Sequence, residues 1–341
     1  MPELATFALF TYRHEAFVAE AIRSVAKQTY RPLELIISDD ASPDETRQRI
    51  DEALRDFPAD IPVIRINHAH NHGGLPAVIN AAVRRASGRV IILGAGDDVS
   101  EPERVAYTMR LFADPRVSFV HTAVSVIDDE GRLAEGRETA GLGDAELSMA
   151  GMLLGAGDPI VGASCAYRVD VFRSFDELPA QILREDVILP IRGMMLGEGR
   201  FLASKLVRYR THAGNLHSLA HTHSSTDLVR HNLRFADDRA AFCAQLAADI
   251  TNARAKGRLL PGEMDEYLRR ETAYSEVEQR LLRTRSLLVR AGQVALAWSS
   301  RRIGTAKAVK LFTLFVTPFL YKQVLGLRIW LSERKRLMRH G

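Results

Sequence analysis

The sequence predicts an α/β protein with a mostly parallel, doubly wound sheet, and three observations carry that expectation. Short apolar runs of β type alternate with segments of helical apolar spacing over the first hundred residues, in the order βαβαβαβ. Acidic pairs follow the second and fourth runs, at the strand ends where open α/β sheets bind ligands. Beyond residue 226 only helical patterns occur.

Residues 4–10 form the first apolar run. Residues 15–28 place Phe17, Val18, Ala21, Ile22 and Val25 on one helical face. Residues 33–37 are the second strand, ending in Ser38-Asp39-Asp40. Ser42-Pro43 then opens a helix through Ile50 and Leu54. Residues 62–66 are the third strand. A turn at 71–74 leads into a helix over 76–86, closed by Gly88 as a C-terminal cap. Residues 90–93 form the fourth strand, and Gly94-Ala95-Gly96 reads as a flexible turn ahead of Asp97 and Asp98. Ser100, followed by Glu101, Pro102 and Glu103, reads as a helix N-cap. Residues 117–127 are strand-like, with a hairpin turn at 128–131. Residues 141–157 are Gly-rich with a helical middle, and 160–167 read as another strand. A helix is expected over Glu185–Leu196, then a late strand over 201–209 ending in Arg210-Thr211-His212.

With 46% hydrophobic and 26% charged residues, the 341-residue chain has the composition of a soluble globular protein. Two cysteines, Cys165 and Cys243, are too few for a disulfide framework and fit a reducing compartment. The first residues lack the basic region and apolar core of a secretory signal, so a cytoplasmic protein is expected. The net charge of +4 is unevenly placed. Residues 301–341 hold ten Lys or Arg and one acid, Glu333, so this tail carries +9 and the rest −5. The basic balance points to an anionic surface as the tail's partner, and no nucleic acid is expected. Residues 303–331 are apolar but broken by Lys307, Lys310, Pro318, Lys322 and Arg328. The longest charge-free run, 311–321, falls short of the about 20 residues a spanning helix needs. A basic amphipathic helix lying on the inner face of the cell membrane is the expectation, with a helix packed on the protein or a partner as its rival.

Four places offer chemistry: Asp39-Asp40, Asp97-Asp98, Glu185-Asp186 and the strand end with Arg210 and His212. Singly, each has an ordinary reading as a cap, a solvated turn, first-turn acids or a loop histidine. In series they resemble the family 2 glycosyltransferases, which have the GT-A fold. The matching blocks are residues 9–14 (LFTYRH), 21–30 (AIRSVAKQTY), 33–44 (LELIISDDASPD) and 71–74 (NHGG), then Asn80, Ala86, Gly88 and the Gly-Asp-Asp run at 96–98. The resemblance covers residues 3–215, and domains are expected at 1–215 (GT-A), 216–300 (helical extension) and 301–341 (basic tail).

The resemblance implies a nucleotide-diphospho-sugar donor, a UDP-sugar being favoured. Thr11, Tyr12 and Asp39 or Asp40 would hold the base, with Asp39 preferred. Asn71, Gly73 and Asn80 would line the nucleotide site. The metal motif of the family has two acids one residue apart. Here Ala95 stands at the first position, leaving Asp97 and Asp98. With His212 they would hold Mn²⁺ or Mg²⁺, which suit carboxylate oxygen. Asp97 and Arg210 would contact the donor. Asp186 would be the catalytic base, with Glu185 as orienting partner or acceptor contact. The implied reaction is an inverting transfer to a hydroxyl of a glycan or lipid-linked acceptor in cell-surface polysaccharide synthesis. The alternative is a GT-A-like module that binds a nucleotide sugar without transferring it, with Ala95 as its reason. A nucleotidyltransferase is the third reading, and 9–15 lacks the Gly-rich basic loop that it needs. The sugar, the acceptor and the oligomeric state are not legible.

Overall fold

The computed structural model describes residues 2–134, 143–154, 160–212, 225–284 and 286–315. The first half is β1 (Ala5–Thr11), α1 (Val18–Ala26), β2 (Leu33–Asp39), α2 (Thr46–Ala53), β3 (Val63–Asn67), α3 (Leu75–Arg85) and β4 (Val90–Ala95). These four strands are parallel, in the order β3-β2-β1-β4. β1 and β2 are buried along their whole length. Burial on both faces is why they read as continuous apolar runs rather than alternating ones.

The chain continues through β5 (Val99–Ser100), α4 (Arg104–Leu111), β6 (Val117–Ile127), β7 (Ala145–Leu147) and α5 (Met149–Leu154). Then come β8 (Cys165–Arg168), α6 (Asp170–Arg173), α7 (Glu185–Leu196) and β9 (Glu198–Arg210). β8 runs antiparallel to β4 and β6, and β9 runs parallel to β6 and antiparallel to β5. One mixed sheet results, β3-β2-β1-β4-β8-β6-β9-β5, with β7 on β9. The pleat sends Ala8, Phe10, Ile36, Ile91 and Leu93 into one apolar layer and Phe7, Leu9, Leu35, Ile37 and Ile92 into the other.

Three local expectations are corrected. Gly94-Ala95 is not a turn, because both residues belong to β4, where Ala95 pairs with Phe10. Ser100 is not an N-cap, because it lies in β5 and its hydroxyl accepts from Arg104 Nη1 at 3.0 Å. Gly88 does not cap α3, whose cap is Ala86. A Cβ on Gly88 would lie 2.6 Å from the Thr6 nitrogen, so glycine is required there for close approach to β1.

The remaining elements are α8 (Ser225–Ala255), α9 (Glu263–Arg283), α10 (Leu287–Ser299) and α11 (Thr305–Phe315). Phe242, Leu246 and Ile250 of α8 enter the same apolar layer as Ala8 and Tyr167, so the packing runs across residue 215. A buried pair fixes α8 on α7, with Arg192 Nε 2.7 Å from Asp249, and Arg184, just ahead of α7, has its Nε 2.7 Å from Asp238 of α8. A separate cluster joins α9, α10 and α11 through Tyr274, Val277, Val294, Ile303 and Leu311, so the packing also runs across residue 300. The first part of the expected basic tail thus lies against α9 and α10. Its remainder, including Pro318, Lys322 and Arg328, is outside the described residues. Among the described residues, no helix is long and apolar enough to cross a membrane.

Candidate active site

The register of the parallel strands builds the site. Thr11 pairs with Asp39 across β1 and β2, and Phe10 pairs with Ala95 across β1 and β4. The three strands therefore end along one line, where Asp39, Asp40, Asp97 and Asp98 gather. β5 and β9 then pair Val99 with Arg208, which carries Arg210 and His212 back to the same edge. The loops that follow β1 and β2 are stitched together. Arg13 N donates to Ser42 Oγ at 3.0 Å and His14 N to Thr46 Oγ1 at 2.9 Å. Arg13 and Ala41 both hold φ near +57°, an unfavourable conformation for residues with a Cβ. Such conformations concentrate at functional sites.

Asp39 is fully buried. Its Oδ1 accepts from Thr11 Oγ1 at 3.0 Å and Ser42 Oγ at 2.5 Å, and its Oδ2 from Ser42 N at 3.1 Å and Arg47 Nε at 2.6 Å. Burial pushes its pKa up, but the hydrogen bonds from Ser42, Arg47 and Thr11 outweigh it and hold the carboxylate below its ordinary range. Arg47 is the half-exposed partner, the one a ligand can replace. Asp40 faces the other way. It accepts from Asn71 Nδ2 at 2.8 Å and His72 N at 3.0 Å, and contacts His72 Nδ1 at 2.7 Å. Gly73 follows at φ +74°, so the turn at 71–74 requires glycine at its third place. Its carbonyl accepts from Arg234 of α8. Tyr12 is half-buried, and the Arg13 guanidinium lies over its ring at 5.5 Å.

At the end of β4 the two acids diverge. Asp97 Oδ2 lies 3.0 Å from His212 Nε2 and 3.6 Å from His14 Nε2. Burial raises its pKa, but the His212 hydrogen bond and the His14 charge outweigh that and lower it. Asp98 Oδ1 accepts from the Arg210 backbone N–H at 2.8 Å, while Oδ2 is buried without a hydrogen-bond partner. Burial and then the charge of Asp97 push Asp98 well above the carboxylate range. His14 Nδ1 is also buried without a partner, and burial holds the ring below the usual histidine pKa. Ligand atoms of His14, Asp97 and His212 lie within 4.8 Å of one another. Imidazole nitrogens, carboxylates and an unsatisfied buried oxygen are the donor set of a divalent metal site, so these residues fit a cation such as Mn²⁺ or Mg²⁺. Gly96 makes the arrangement possible: a Cβ there would sit 2.6 Å from Thr11 Cγ2 and 2.8 Å from His14 Nδ1. A second group, Asp40 with His68 and His72, also brings ligand atoms within 4.8 Å of one another.

Two of the expected donor contacts, Arg210 and Asn80, are held by partners within the protein. Arg210 is almost fully buried and its guanidinium is committed within the protein. It donates to the carbonyls of Asp97, Asp128 and Asp129 and to Glu20 at 2.6–3.1 Å, over the Phe17 ring at 4.8 Å. It therefore fixes the loop after β4. The amide of Asn80 bonds the Leu178 backbone in both directions, at 2.9 and 3.2 Å, and borders a different cavity with Phe175 and Arg192. Asn80 thus clamps α3 to the chain before α7.

Glu185 and Asp186 open α7 and meet Gly162 across a narrow gap. Glu185 is buried, and burial followed by the charge of Asp186 pushes its carboxyl up to about 8. Asp186 is half-buried. Tyr209, in β9, is half-buried. Burial, then the charges of Asp98, Asp97 and Asp186, raise its phenol to about 12. Reading the sequence missed Tyr209 and His14 as site residues. Tyr209 had one signal, its place beside Arg210 and His212, and His14 had its place just past β1.

Comparison with known proteins fits this geometry. Residues 6–175 match the family profile described as glycosyl transferase family 2. The chain spans 60–65% of the length of the first curated relatives it matches, which are 27–30% identical to it. It is also similar to the Escherichia coli protein WfgD, a UDP-Glc:α-D-GlcNAc-diphosphoundecaprenol β-1,3-glucosyltransferase. The two are 27% identical over 37% of this chain and 47% of WfgD. In fold it is similar to Staphylococcus aureus TarS 1–349 in complex with UDP-GlcNAc, with a TM-score of 0.59 and 16% identity over 93% of this chain and 92% of that one. It is also similar to the mannosyltransferase PcManGT of Pyrobaculum calidifontis in complex with GDP-Man and Mn²⁺, with a TM-score of 0.50 and 16% identity over 97% and 84% of the two chains. The fold is GT-A, and the chain belongs to glycosyl transferase family 2.

Proposed function

We propose that the protein is an inverting glycosyltransferase that moves a sugar from a nucleotide-diphospho-sugar, with UDP-sugars favoured, to a hydroxyl of a glycan or lipid-linked acceptor at the inner membrane face. One observation carries the reading furthest: the register of β1, β2 and β4 brings Thr11, Asp39 and the Asp97-Asp98 pair to one sheet edge, where Asp97 clusters with His14 and His212 beside the unsatisfied Asp98 oxygen. The occurrence of UDP-GlcNAc with TarS and of a diphosphoundecaprenol-linked acceptor in the name of WfgD supports the donor and acceptor classes.

Thr11, Tyr12 and Asp39 receive the base, with the Asp39 carboxylate accepting its N–H in place of Arg47. Asn71 and Gly73 shape the wall beside it. Asp98, Asp97, His212 and His14 hold Mn²⁺ or Mg²⁺. When bound, the ion neutralises the diphosphate as a Lewis acid. Burial and the charge of Asp186 push Glu185 up to about 8, so Asp186 is the acid of the pair assigned as base. Asp186 takes the proton from the acceptor hydroxyl. The hydroxyl oxygen bonds to the anomeric carbon as the bond to the diphosphate oxygen breaks, and the nucleoside diphosphate leaves with the electron pair. A single displacement inverts the centre. The imidazoles of His14 and His212 supply donors that Ala95 does not, which favours transfer over a binding-only module.

Purified protein with a panel of nucleotide sugars and Mn²⁺ tests this reading. Donor hydrolysis or transfer is expected, and folded protein that neither binds nor turns over any donor would refute it. Asp98→Asn should abolish metal-dependent donor binding. Asp186→Asn should keep donor binding and stop transfer, and transfer at the normal rate would show the base to be misassigned.

A further inference from the structure

The helix α10 presents an unusual face. Its inner side buries Val294 and Ala297 in the cluster shared with α9 and α11. Its outer side carries Leu287, Leu288, Val289, Leu296 and Trp298, all at least half exposed, with Leu288 at 87% and Leu296 at 70%. The other exposed positions of the helix are Gly292, Ala295 and Ser299, so no charge interrupts this surface. Arg290, the one charged residue of the helix, turns away from it to donate to the carbonyls of Thr284 and Phe315. Seven of the eleven exposed large apolar side chains among the described residues fall between Leu287 and Phe312, so the exposure is concentrated rather than scattered.

The sequence that carries this face is basic. From Arg280 to Phe315 it has eight Lys or Arg and no Asp or Glu, with Arg302 and Lys307 paired to Glu276 and Glu271 of α9. Two copies meeting face to face about a two-fold axis would bring like charges together. An anionic lipid surface meets both properties, since it accepts apolar side chains at the headgroup boundary and attracts flanking cations. The thirteen-residue helix is about 20 Å long at about 1.5 Å per residue, too short to span a bilayer and suited to lying along it.

We infer that α10 is a membrane-docking helix whose outer face inserts Leu288, Leu296 and Trp298 into an anionic lipid surface. Docking therefore resides in a helix packed on the body of the protein, ahead of the tail. The inference stands apart from the transferase reading, since vesicle binding needs no donor, and donor binding in free solution reports on the other.

Co-sedimentation of the full chain with phosphatidylglycerol-containing vesicles and with neutral phosphatidylcholine vesicles tests it. The native protein should pellet with the anionic vesicles at least tenfold more strongly than with neutral ones. Leu288→Glu/Leu296→Glu should lower anionic binding at least tenfold and leave thermal unfolding unchanged. Undiminished binding by the double variant would overturn the inference. So would a lowered melting temperature, which would show that the face is covered by the chain itself. A dimer that the variant converts to monomer would overturn it too, by naming a second copy as the occupant. In a Trp330→Phe background Trp298 is the sole tryptophan. Its emission should shift to the blue on adding anionic vesicles to otherwise native protein, and an unmoved spectrum would overturn the inference independently of any effect of the glutamates.

Discussion

Replacing Glu185 by Gln separates an electrostatic cost of the site from its packing. The carboxyl is buried at the start of α7, and its pKa is raised from 4.5 to about 8 by burial first and by Asp186 second. The native state then holds a proton up to about 8, while the unfolded chain releases it near 4.5. Between those values the unfolded state binds fewer protons, so stability falls as pH rises, by about 1.4 kcal/mol per pH unit. Across the window the loss is on the order of 3–5 kcal/mol, the range allowing for sharing of the proton with Asp186. Glu185→Gln keeps the shape and removes the titration. Urea unfolding of both proteins from about pH 5 to pH 9 should show the variant gaining on the native protein as pH rises, with the gap levelling above about 8. Groups common to both cancel in the difference. A stability difference that stays constant with pH to within about 0.5 kcal/mol would refute the reasoning, because Glu185 would then be ionised in the native state throughout.

Four further outcomes follow from the same geometry. His14→Ala should weaken Mn²⁺ binding about tenfold, read by the loss of the free-ion electron paramagnetic resonance signal, without changing the melting temperature by more than a few degrees. Arg210→Ala should cost about 3–5 kcal/mol in urea unfolding, since it leaves the Asp97, Asp128 and Asp129 carbonyls and Glu20 without their donor; an intact protein with weakened donor binding alone would restore Arg210 to a phosphate role. Gly96→Ala should cost about 1–3 kcal/mol and weaken Mn²⁺ binding, because its methyl meets Thr11 and His14 at under 3 Å. Asn80→Ala should lower stability by about 1 kcal/mol and leave nucleotide-sugar affinity within a factor of two by calorimetry.

The sheet was legible because its signal is local. Short apolar runs rich in branched residues and bounded by turn signals, such as residues 33–37, fit strands buried on both faces, and the extent of α7 is legible because its acidic first turn and apolar body agree. The boundary errors share one cause. Turn and cap preference misplaces Gly94, Ser100 and Gly88, because all three are decided by neighbours distant in sequence: Phe7 beneath Gly94, Val207 of β9 paired with Ser100 and Thr6 beside Gly88. Propensity describes a residue before it has neighbours, and close approach of a second strand overrides it.

The site shows the same limit in its chemistry. The sequence places Asp39, Asp97 and Asp98 at strand ends but cannot say which of their oxygens are already satisfied. That accounting decides the roles. Asp39 has all four acceptor positions filled, and only the half-exposed Arg47 can yield one to a ligand. Asp98 has one oxygen held by the Arg210 backbone and the other unsatisfied in a buried position, the condition a cation relieves. Arg210 has its donors committed, so its charge sets the position of the Asp97 carbonyl and lies behind the acids. A cation that binds in front of the acids therefore meets two carboxylates already oriented from behind, and the imidazoles of His14 and His212 close the ring from the ends of β1 and β9. Preorganisation of this kind removes the cost of gathering like charges at the moment of binding, which is why the fixed Arg210 matters more to the proposed metal site than a free arginine at the phosphate would.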